Sequence, residues 1–178
     1  MPIPAENVVL VDPEGQPTGI AGKLEAHRRG LRHRAVSVFL LNGAGEMLIQ
    51  QRAAGKYHSP GRWANACCTH PRPGEEPAAA AARRLGEELG IRSPPIFPFG
   101  TVAYRETVSP TLIEDEVCQL FTGRFDAAVR PNPAEVAATR WVGKEALLME
   151  VESTPERFAV WFRIYLERHA PALFSAGG

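Results

Sequence analysis

A thiol and an imidazole stand two residues apart at Cys68 and His70, immediately before a segment that carries acidic side chains. On a β-strand, side chains two residues apart point to the same face, so a strand here would present both groups together. Either group can transfer a proton when it is held against a substrate. Because free cysteines are commonly buried, these residues alone also allow an interpretation in which Cys67 and Cys68 only fill the core.

Five side chains from distant parts of the chain could together hold a metal ion. They are His27, His33, His70, Glu114 and Glu116. Nitrogen and oxygen ligands in this mixture suit octahedral Mn²⁺, Mg²⁺ or Fe²⁺ better than tetrahedral Zn²⁺, which stays compatible with the ligand types. A surface histidine pair and a solvated acidic turn would explain the same residues without a metal. His58 and His169 fall outside this set, and we expect both to be solvated.

A helix is expected between Gly74 and Gly90. Glu75 and Glu76 would occupy its first turn, Pro77 suits an early helical position, and Gly90 would end the helix. The apolar stripe of this helix would consist of Ala78, Ala81, Leu85 and Leu89.

Within this segment, Glu75 is followed after seven residues by Arg-Arg-Leu-Gly-Glu-Glu-Leu-Gly-Ile, a pattern that resembles the Nudix box, which holds divalent cations on diphosphates. A surface helix supported by arginine–glutamate pairs at i,i+4 is the alternative. Thr69 replaces the opening glycine of the box, and Arg84 replaces a glutamate. A guanidinium in place of a carboxylate changes the charge of a cation site by two units, so Arg84 weakens a hydrolase assignment. Glu88 alone could still hold a metal.

Among the expected elements, strands outnumber helices and the two are mixed in order, which is typical of a mixed α/β fold of the α+β class. Strands are expected at Asn7–Val11, Arg34–Leu41, Met47–Gln51, Gly100–Tyr104, Glu116–Arg124 and Ala138–Val142. A polar loop is expected over Ala53–Arg62 and a short helix near Lys144. A capping and proline-start signal at Ser153 to Glu156 predicts a last helix that ends at about Arg168.

Composition limits the possible classes of protein. The 178 residues are 44% hydrophobic and 22% charged, which is typical of one folded domain and excludes disordered, collagen-like and coiled-coil chains. We expect one domain over residues 1–178, with its core at about 7–168 between short flexible termini. Lys plus Arg and Asp plus Glu each total 20, so no global field favours nucleic acid or an anionic membrane. Residues 1–74 nevertheless hold nine basic and five acidic side chains, which suits a small anionic ligand.

Three cysteines are an odd number and give no disulfide framework, which favours a reducing cytoplasm. The sequence shows no signal peptide and no run of ~20 apolar residues that could span a membrane. We therefore expect a cytoplasmic monomer with a small-molecule ligand and no nucleic-acid or membrane partner.

The motifs from about Asn7 to Arg168 together resemble type I isopentenyl diphosphate isomerases, Nudix-fold enzymes that interconvert isopentenyl and dimethylallyl diphosphate in isoprenoid biosynthesis. The resemblance implies a Nudix-type αβα sandwich with a mixed sheet. It also implies extra N-terminal strands that bear Lys23, His27 and His33. A Nudix hydrolase of a nucleoside or prenyl diphosphate and a metal-binding domain without turnover are the alternatives.

The resemblance further implies roles for single residues. Proton transfer falls on Cys68 and Glu116, with Tyr104 assisting. The site for Mn²⁺ or Mg²⁺, with Zn²⁺ or Fe²⁺ as alternatives, falls on His27, His33, His70, Glu114 and Glu116. A second cation, Mg²⁺ bound with the diphosphate, falls on Glu88 and the backbone carbonyl of Cys68. Diphosphate contacts fall on Lys23, Arg52, Lys56 and Arg83, and the aromatic wall falls on Tyr104 and Trp161, with Trp63 as a further candidate.

Overall fold

A computed structural model describes residues 6–176 as a nine-stranded mixed sheet with four helices. The strands are β1 (Asn7–Val11), β2 (Pro17–Gly22), β3 (His33–Leu41), β4 (Met47–Arg52), β5 (Trp63–Asn65), β6 (Cys67–Thr69), β7 (Ile96–Ser109), β8 (Leu112–Arg124) and β9 (Val136–Val142). The helices are α1 (Lys23–Arg29), α2 (Pro77–Leu89), α3 (Lys144–Ser153) and α4 (Val160–Ser175). The termini expected to be flexible extend beyond the described residues. Within 6–176, no helix is long and apolar enough to cross a lipid bilayer.

Strand β3 is the centre of the sheet because it pairs with several other strands. It runs parallel to β8, with His33 opposite Glu116, and antiparallel to β6, with Ser37 opposite Cys68. Strand β7 pairs with the other edge of β8 and places Tyr104 opposite Glu116. This register brings side chains from distant parts of the sequence to one end of the sheet.

The side chains of β3 alternate between two hydrophobic layers. Phe39 and Leu41 pack in the layer that includes α4. Val36, Val38 and Leu40 pack in the layer that includes α2. The sheet is therefore covered on both faces by helices, which confirms the αβα sandwich that the family resemblance implies.

Helix α2 confirms the expected helix, with Pro77 in its first turn and Gly90 in the left-handed conformation at its end. Glu75 and Glu76 do not occupy the first turn as expected, because the helix begins at Pro77 and Glu76 is its extended N-cap residue. Its buried stripe differs in one position, since Ala80 is buried and Ala78 is exposed. Strand β1 and the helix that begins at Lys144 are also confirmed.

Two expected elements are wrong in detail. Lys23 and His27 lie on helix α1 and not on a strand, because Lys23–Arg29 consists largely of good helix formers and ends at a left-handed Gly30. The last helix begins at Val160, later than expected. Residues 155–157 form a separate 3₁₀ turn, and the backbone N–H of Ala159 donates to the carbonyl of Trp63 at 2.9 Å, which holds the intervening residues extended.

Candidate active site

A cavity of about 200 Å³ opens at the end of the sheet where α1, β3, β6, β8 and the start of α4 meet. The cavity is lined by a cluster of histidines and carboxylates and by a group of cations, called its cationic end. Cys68, Tyr104 and Trp161 also line it. The groups that could bind a metal or transfer a proton and the groups that could bind an anion therefore line the same cavity.

Three histidines converge on Glu116. Its Oε1 lies 2.9 Å from His70 Nε2 and 3.4 Å from His33 Nε2, and these two imidazole nitrogens are 3.2 Å apart. His27 is fully buried, and no group among residues 6–176 hydrogen-bonds its Nε2. One ligand atom from each of His27, His33, His70 and Glu116 lies within 4.8 Å of the others. Glu114 lies next to this group, with its Oε1 3.9 Å from His27 Nε2. A buried imidazole nitrogen without a partner beside two close ones fits a divalent cation.

The protonation of these groups is set by burial and by their mutual contacts. Burial, with the neighbouring His70 and His33, lowers the pKa of His27 to about 3, so its ring is neutral and able to ligate a metal. Burial opposes ionisation of Glu116, but hydrogen bonds from His33 and His70 hold the pKa of this carboxyl well below its usual range. Glu116 is therefore a carboxylate at neutral pH.

The Cys68 thiol faces the cavity from β6. It donates to Asn65 Oδ1 at 3.3 Å and lies 3.2 Å from Ser37 Oγ. Burial raises the pKa of Cys68 to about 12, against the smaller opposing effects of these two hydrogen bonds, so the thiol keeps its proton at neutral pH. The Tyr104 hydroxyl lies 2.7 Å from Glu116 Oε2 and 3.0 Å from Glu114 Oε2, and it bridges the two carboxylates.

The cationic end of the cavity consists of basic side chains from α1, β4, the following loop and α2. They are Lys23, Arg52, Lys56, Arg83 and Arg84, and Arg72, from the loop before α2, lines the cavity as well. The Arg52 guanidinium lies 5.1 Å over the Trp161 ring and donates to the carbonyl of His58 at 3.1 Å. Lys23 pairs with Glu6 at 2.8 Å, and Lys56 pairs with Glu135.

The two arginines of the Nudix-like helix have different partners. Arg83 is engaged by Glu75 at 2.7 and 3.0 Å. Arg84, which replaces a glutamate of the Nudix box, pairs with Glu88 at 2.7 Å and with Glu135 at 2.9 Å. Arg84 is therefore a cavity residue that the sequence reasoning missed, although its position beside Glu88 in the motif is a usable signal.

A second cation at Glu88 does not fit the side chains as they stand. Glu88 Oε1 accepts from Arg84, and its Oε2 accepts from Gln50 Nε2 at 2.6 Å. Both carboxylate oxygens are thus already engaged by protein donors. The Mg²⁺ expected there with the diphosphate stays a prediction.

Two expectations about aromatic residues are wrong. Trp63 does not line the cavity; its ring packs in the core under the Arg140 guanidinium, 4.8 Å away. His58 is not solvated but only 6% exposed, and its Nε2 lies 3.1 Å from Glu114 Oε1. The polar loop over Ala53–Arg62 folds into the site, and the basic residues on and beside this loop are the signal that could have placed His58 there. His169, in contrast, lies on α4 beside Phe99.

Asp115 sits between the two cluster carboxylates in sequence but makes a different set of contacts. Its carboxylate accepts from Arg32 Nε at 2.7 Å and from Arg105 Nη1 at 2.6 Å, and Arg105 also donates to the carbonyl of Gly30 at 2.8 Å. Gly30 ends the helix that carries His27, and Arg32 precedes His33. Asp115 thus ties the segment that bears two histidines to the strand that bears the carboxylates.

The substitution Asp115→Asn is expected to lower the free energy of unfolding by about 1–2 kcal/mol, since it weakens two charge-assisted hydrogen bonds, of which the one to the half-exposed Arg105 is partly screened. Amide hydrogen exchange should accelerate over residues 23–33 in the same variant. Urea unfolding and exchange measured by mass spectrometry test both effects. Asp126→Asn, which removes an exposed pair with Arg124, is the matched control and should change neither quantity. Unchanged exchange over 23–33 in Asp115→Asn would contradict the assignment.

Comparison with known proteins identifies a family. Residues 31–162 match the NUDIX domain. The chain is 54% identical over 154 residues to an isopentenyl-diphosphate Delta-isomerase of Cereibacter sphaeroides (strain ATCC 17025 / ATH 2.4.3), covering 85% of this chain and 86% of that protein. It is 49% identical over 154 residues to the Rhodobacter capsulatus protein of the same name (85% and 87%) and 46% identical over 163 residues to that of Burkholderia multivorans (92% and 92%).

Solved structures support the fold. The crystal structure of DR0079 from Deinococcus radiodurans superposes with a TM-score of 0.70 at 24% identity, covering 83% of this chain and 90% of that one. The MutT protein from Methanosarcina mazei superposes with a TM-score of 0.62 at 23% identity, covering 82% and 94%. At these identities the likeness establishes the fold alone.

Proposed function

Because the chain belongs to the Nudix family and, within it, to the isopentenyl-diphosphate Delta-isomerases, we propose that its cavity interconverts isopentenyl and dimethylallyl diphosphate with Cys68 and Glu116 as the proton-transfer groups. The observation that carries this assignment is the placement of a protonated thiol and an ionised carboxylate in one cavity that also holds a cationic end. The substrate is a small prenyl diphosphate. We further propose that the enzyme is a single-domain cytoplasmic monomer.

Isomerisation adds one proton to the terminal alkene carbon and removes one proton from the carbon on the other side of the double bond. The double bond moves by one position, and no atom is gained or lost overall. An alkene is a very weak base, so the acid must contact the carbon in a site that water does not enter. Cys68 supplies a transferable proton, and Glu116 can accept one. The site therefore has the one proton donor and the one proton acceptor that the reaction requires. The two groups exchange these roles when the reaction runs in reverse.

Tyr104 is proposed to assist Glu116. Its hydroxyl donates to Glu116 Oε2 at 2.7 Å, which fixes this oxygen and leaves Oε1 towards His33 and His70. The aromatic wall of the cavity keeps water from the cationic carbon that forms after protonation. Trp161 adds an electron-rich ring, although the Arg52 guanidinium already lies over this ring.

His27, His33, His70, Glu114 and Glu116 are proposed to hold Mn²⁺ or Mg²⁺, with Zn²⁺ and Fe²⁺ as alternatives. A divalent cation at these ligands would lower the proton affinity of Glu116 and so tune its part in the transfer. The fit rests on the neutral, unpartnered His27 Nε2 and on the short distance between His33 and His70.

The diphosphate takes no part in the bond changes, so it has to be held without being attacked. Lys23, Arg52, Lys56 and Arg83 are proposed to hold it, and Arg84 joins them because its guanidinium also lines the cavity. Arg84 forms an ion pair with Glu88, the carboxylate on which a Nudix-type cation would depend. This pairing supports isomerisation over diphosphate hydrolysis. Binding energy from contacts with the diphosphate can hold the small hydrocarbon tail in place against the proton-transfer groups.

The function is tested with purified protein, isopentenyl diphosphate and Mg²⁺ in D₂O, followed by proton and deuterium NMR. We expect deuterium-labelled dimethylallyl diphosphate and no release of phosphate, because solvent-exchanged protons enter through the site's acid. Addition of Mn²⁺ in place of Mg²⁺ tests which ion supports turnover. Release of phosphate without allylic product would show a Nudix hydrolase instead. Metal binding without any reaction would favour a domain that only binds metal.

A further inference from the structure

His58 is a buried titratable side chain to which the proposed reaction assigns no role. It lies on the 53–62 loop, yet it contacts both the carboxylate cluster and one of the cations of the cavity. Its Nε2 is 3.1 Å from Glu114 Oε1, its ring stands edge-on to the Trp161 ring at 5.6 Å and 89°, and its backbone carbonyl accepts from Arg52 Nη2 at 3.1 Å. One residue therefore joins a cluster carboxylate, the aromatic wall and a cation of the diphosphate end.

Two groups contact the oxygens of Glu114, and one of them, the Tyr104 hydroxyl, has a single hydrogen that it shares with Glu116. Tyr104 holds Oε2 at 3.0 Å, and His58 holds Oε1 at 3.1 Å. The same Oε1 lies 3.9 Å from the unpartnered Nε2 of His27. A carboxylate held by only one of its oxygens can rotate, so without His58 this oxygen would lose its direction towards His27.

The hydrogen bonds of His58 agree with a donor at Nε2. The Glu114 carboxylate can only accept, so Nε2 carries the hydrogen, and Nδ1 is left to accept from the Ser59 hydroxyl at 3.4 Å. Outer groups that orient a ligand in this way commonly change metal affinity by 10–100-fold when they are removed.

We propose that His58 is a positioning residue: its Nε2–H fixes Glu114 in the orientation in which this carboxylate completes the metal site with His27. The inference rests on the proposed function only in that it assumes a divalent cation at the His/Glu cluster. It gives the 53–62 loop a second role, since the loop that presents Lys56 to the diphosphate also orients a metal ligand.

The test measures Mn²⁺ binding to metal-free protein by electron paramagnetic resonance and calorimetry, without substrate. His58→Phe keeps an aromatic ring against Trp161 but removes the donor, and we expect it to weaken Mn²⁺ binding about 10–100-fold. His58→Gln keeps an N–H donor and should bind Mn²⁺ more nearly as the wild type does. His169→Phe makes the same substitution on α4, outside the cavity, and is the matched control that should leave binding unchanged.

A double-mutant cycle separates positioning from a general effect on the fold. If His58 acts through Glu114, His58→Phe should weaken Mn²⁺ binding much less in a Glu114→Gln background than in the wild type. Equal effects in the two backgrounds, or wild-type Mn²⁺ affinity in His58→Phe, would overturn the proposal. If His58→Phe does not fold, His58→Ala replaces it in the same cycle.

The outcome is distinct from that of the function test. Loss of Mn²⁺ affinity in His58→Phe would support the proposal even if the wild-type protein failed to isomerise isopentenyl diphosphate. An active isomerase whose Mn²⁺ affinity does not respond to His58 would overturn the proposal and leave the function in place.

Discussion

Replacing Cys68 with alanine is expected to lower kcat by about 10²–10⁴-fold, the usual contribution of a positioned acid or base. The Cys68 thiol lines the cavity, holds its proton at neutral pH and is aimed by Asn65 and Ser37. Alanine removes the proton without adding volume, so the cavity and its cationic end should persist. Steady-state kinetics with isopentenyl diphosphate, together with deuterium incorporation from D₂O, measure the loss. KM should change little, because the Cys68 thiol is not one of the cationic groups proposed to hold the diphosphate.

Cys67→Ala is the matched control for this substitution. Cys67 is the neighbouring residue and equally a free thiol, but its side chain packs in the hydrophobic layer of α2, on the opposite face of the sheet. This variant should lower the free energy of unfolding and leave kcat close to that of the wild type.

Cys68→Ser adds a further distinction between hydrogen bonding and acidity. A serine hydroxyl can keep the contacts with Asn65 and Ser37 but is a far weaker acid than a thiol, so we expect this variant to be nearly as inactive as Cys68→Ala. A Cys68→Ala enzyme with kcat within about tenfold of the wild type would place the proton transfer on another group.

The parts of this fold that depend on local sequence could be predicted, and helix α2 shows why. Acidic residues and Pro77 at its start, apolar spacing along it and a left-handed Gly90 at its end all act within one segment. Strand β1, closed by a turn signal at Asp12 to Gly15, is a second local case. The same-face placement of Glu114 and Glu116 follows from the two-residue period of a strand, and both side chains do line the cavity.

The register between strands could not be predicted in this way, because it depends on pairing between distant segments. His33 lies opposite Glu116 and Ser37 opposite Cys68 only because β3 pairs with both β8 and β6. The family resemblance supplied that information as a set of roles, without the contacts that produce them. Helix α1 was missed because seven residues are too few for a clear apolar period.

His58 was misplaced for a related reason. A polar loop is ordinarily solvated, but His58 is buried by contacts with distant segments, among them Trp161 on α4 and Glu114 on β8. Arg84 was recognised as a departure from the Nudix pattern, but its partner Glu135 lies in the segment before β9, where no motif signals it. In both cases the local sequence shows only which side chain is present, whereas contacts with distant segments determine what that side chain does.

Removing the charge of Arg52 is expected to raise KM for isopentenyl diphosphate by about 10–100-fold, the effect of losing hydrogen bonds to a charged group worth roughly 1.5–3 kcal/mol. Arg52 is held over Trp161 with Nη2 on the carbonyl of His58, and its Nε is buried with no hydrogen-bond partner among residues 6–176. A half-buried guanidinium with a hydrogen-bond donor to spare is prepared for a phosphate oxygen. Arg52→Met against Arg124→Met is the comparison, since Arg124 is exposed and pairs with Asp126 outside the cavity.

The same comparison with inorganic diphosphate separates binding from chemistry. If Arg52 holds the diphosphate, its inhibition constant should rise in Arg52→Met by a factor close to that for KM, whereas kcat should fall less. Arg52→Lys keeps the charge but loses the planar fork and the stacking on Trp161, so it should fall between Arg52→Met and the wild type. Equal inhibition constants for Arg52→Met and Arg124→Met would contradict the assignment. In that case the diphosphate would have to bind through the other four cations, each of which would first exchange a carboxylate partner for it: Lys23, Lys56, Arg83 and Arg84.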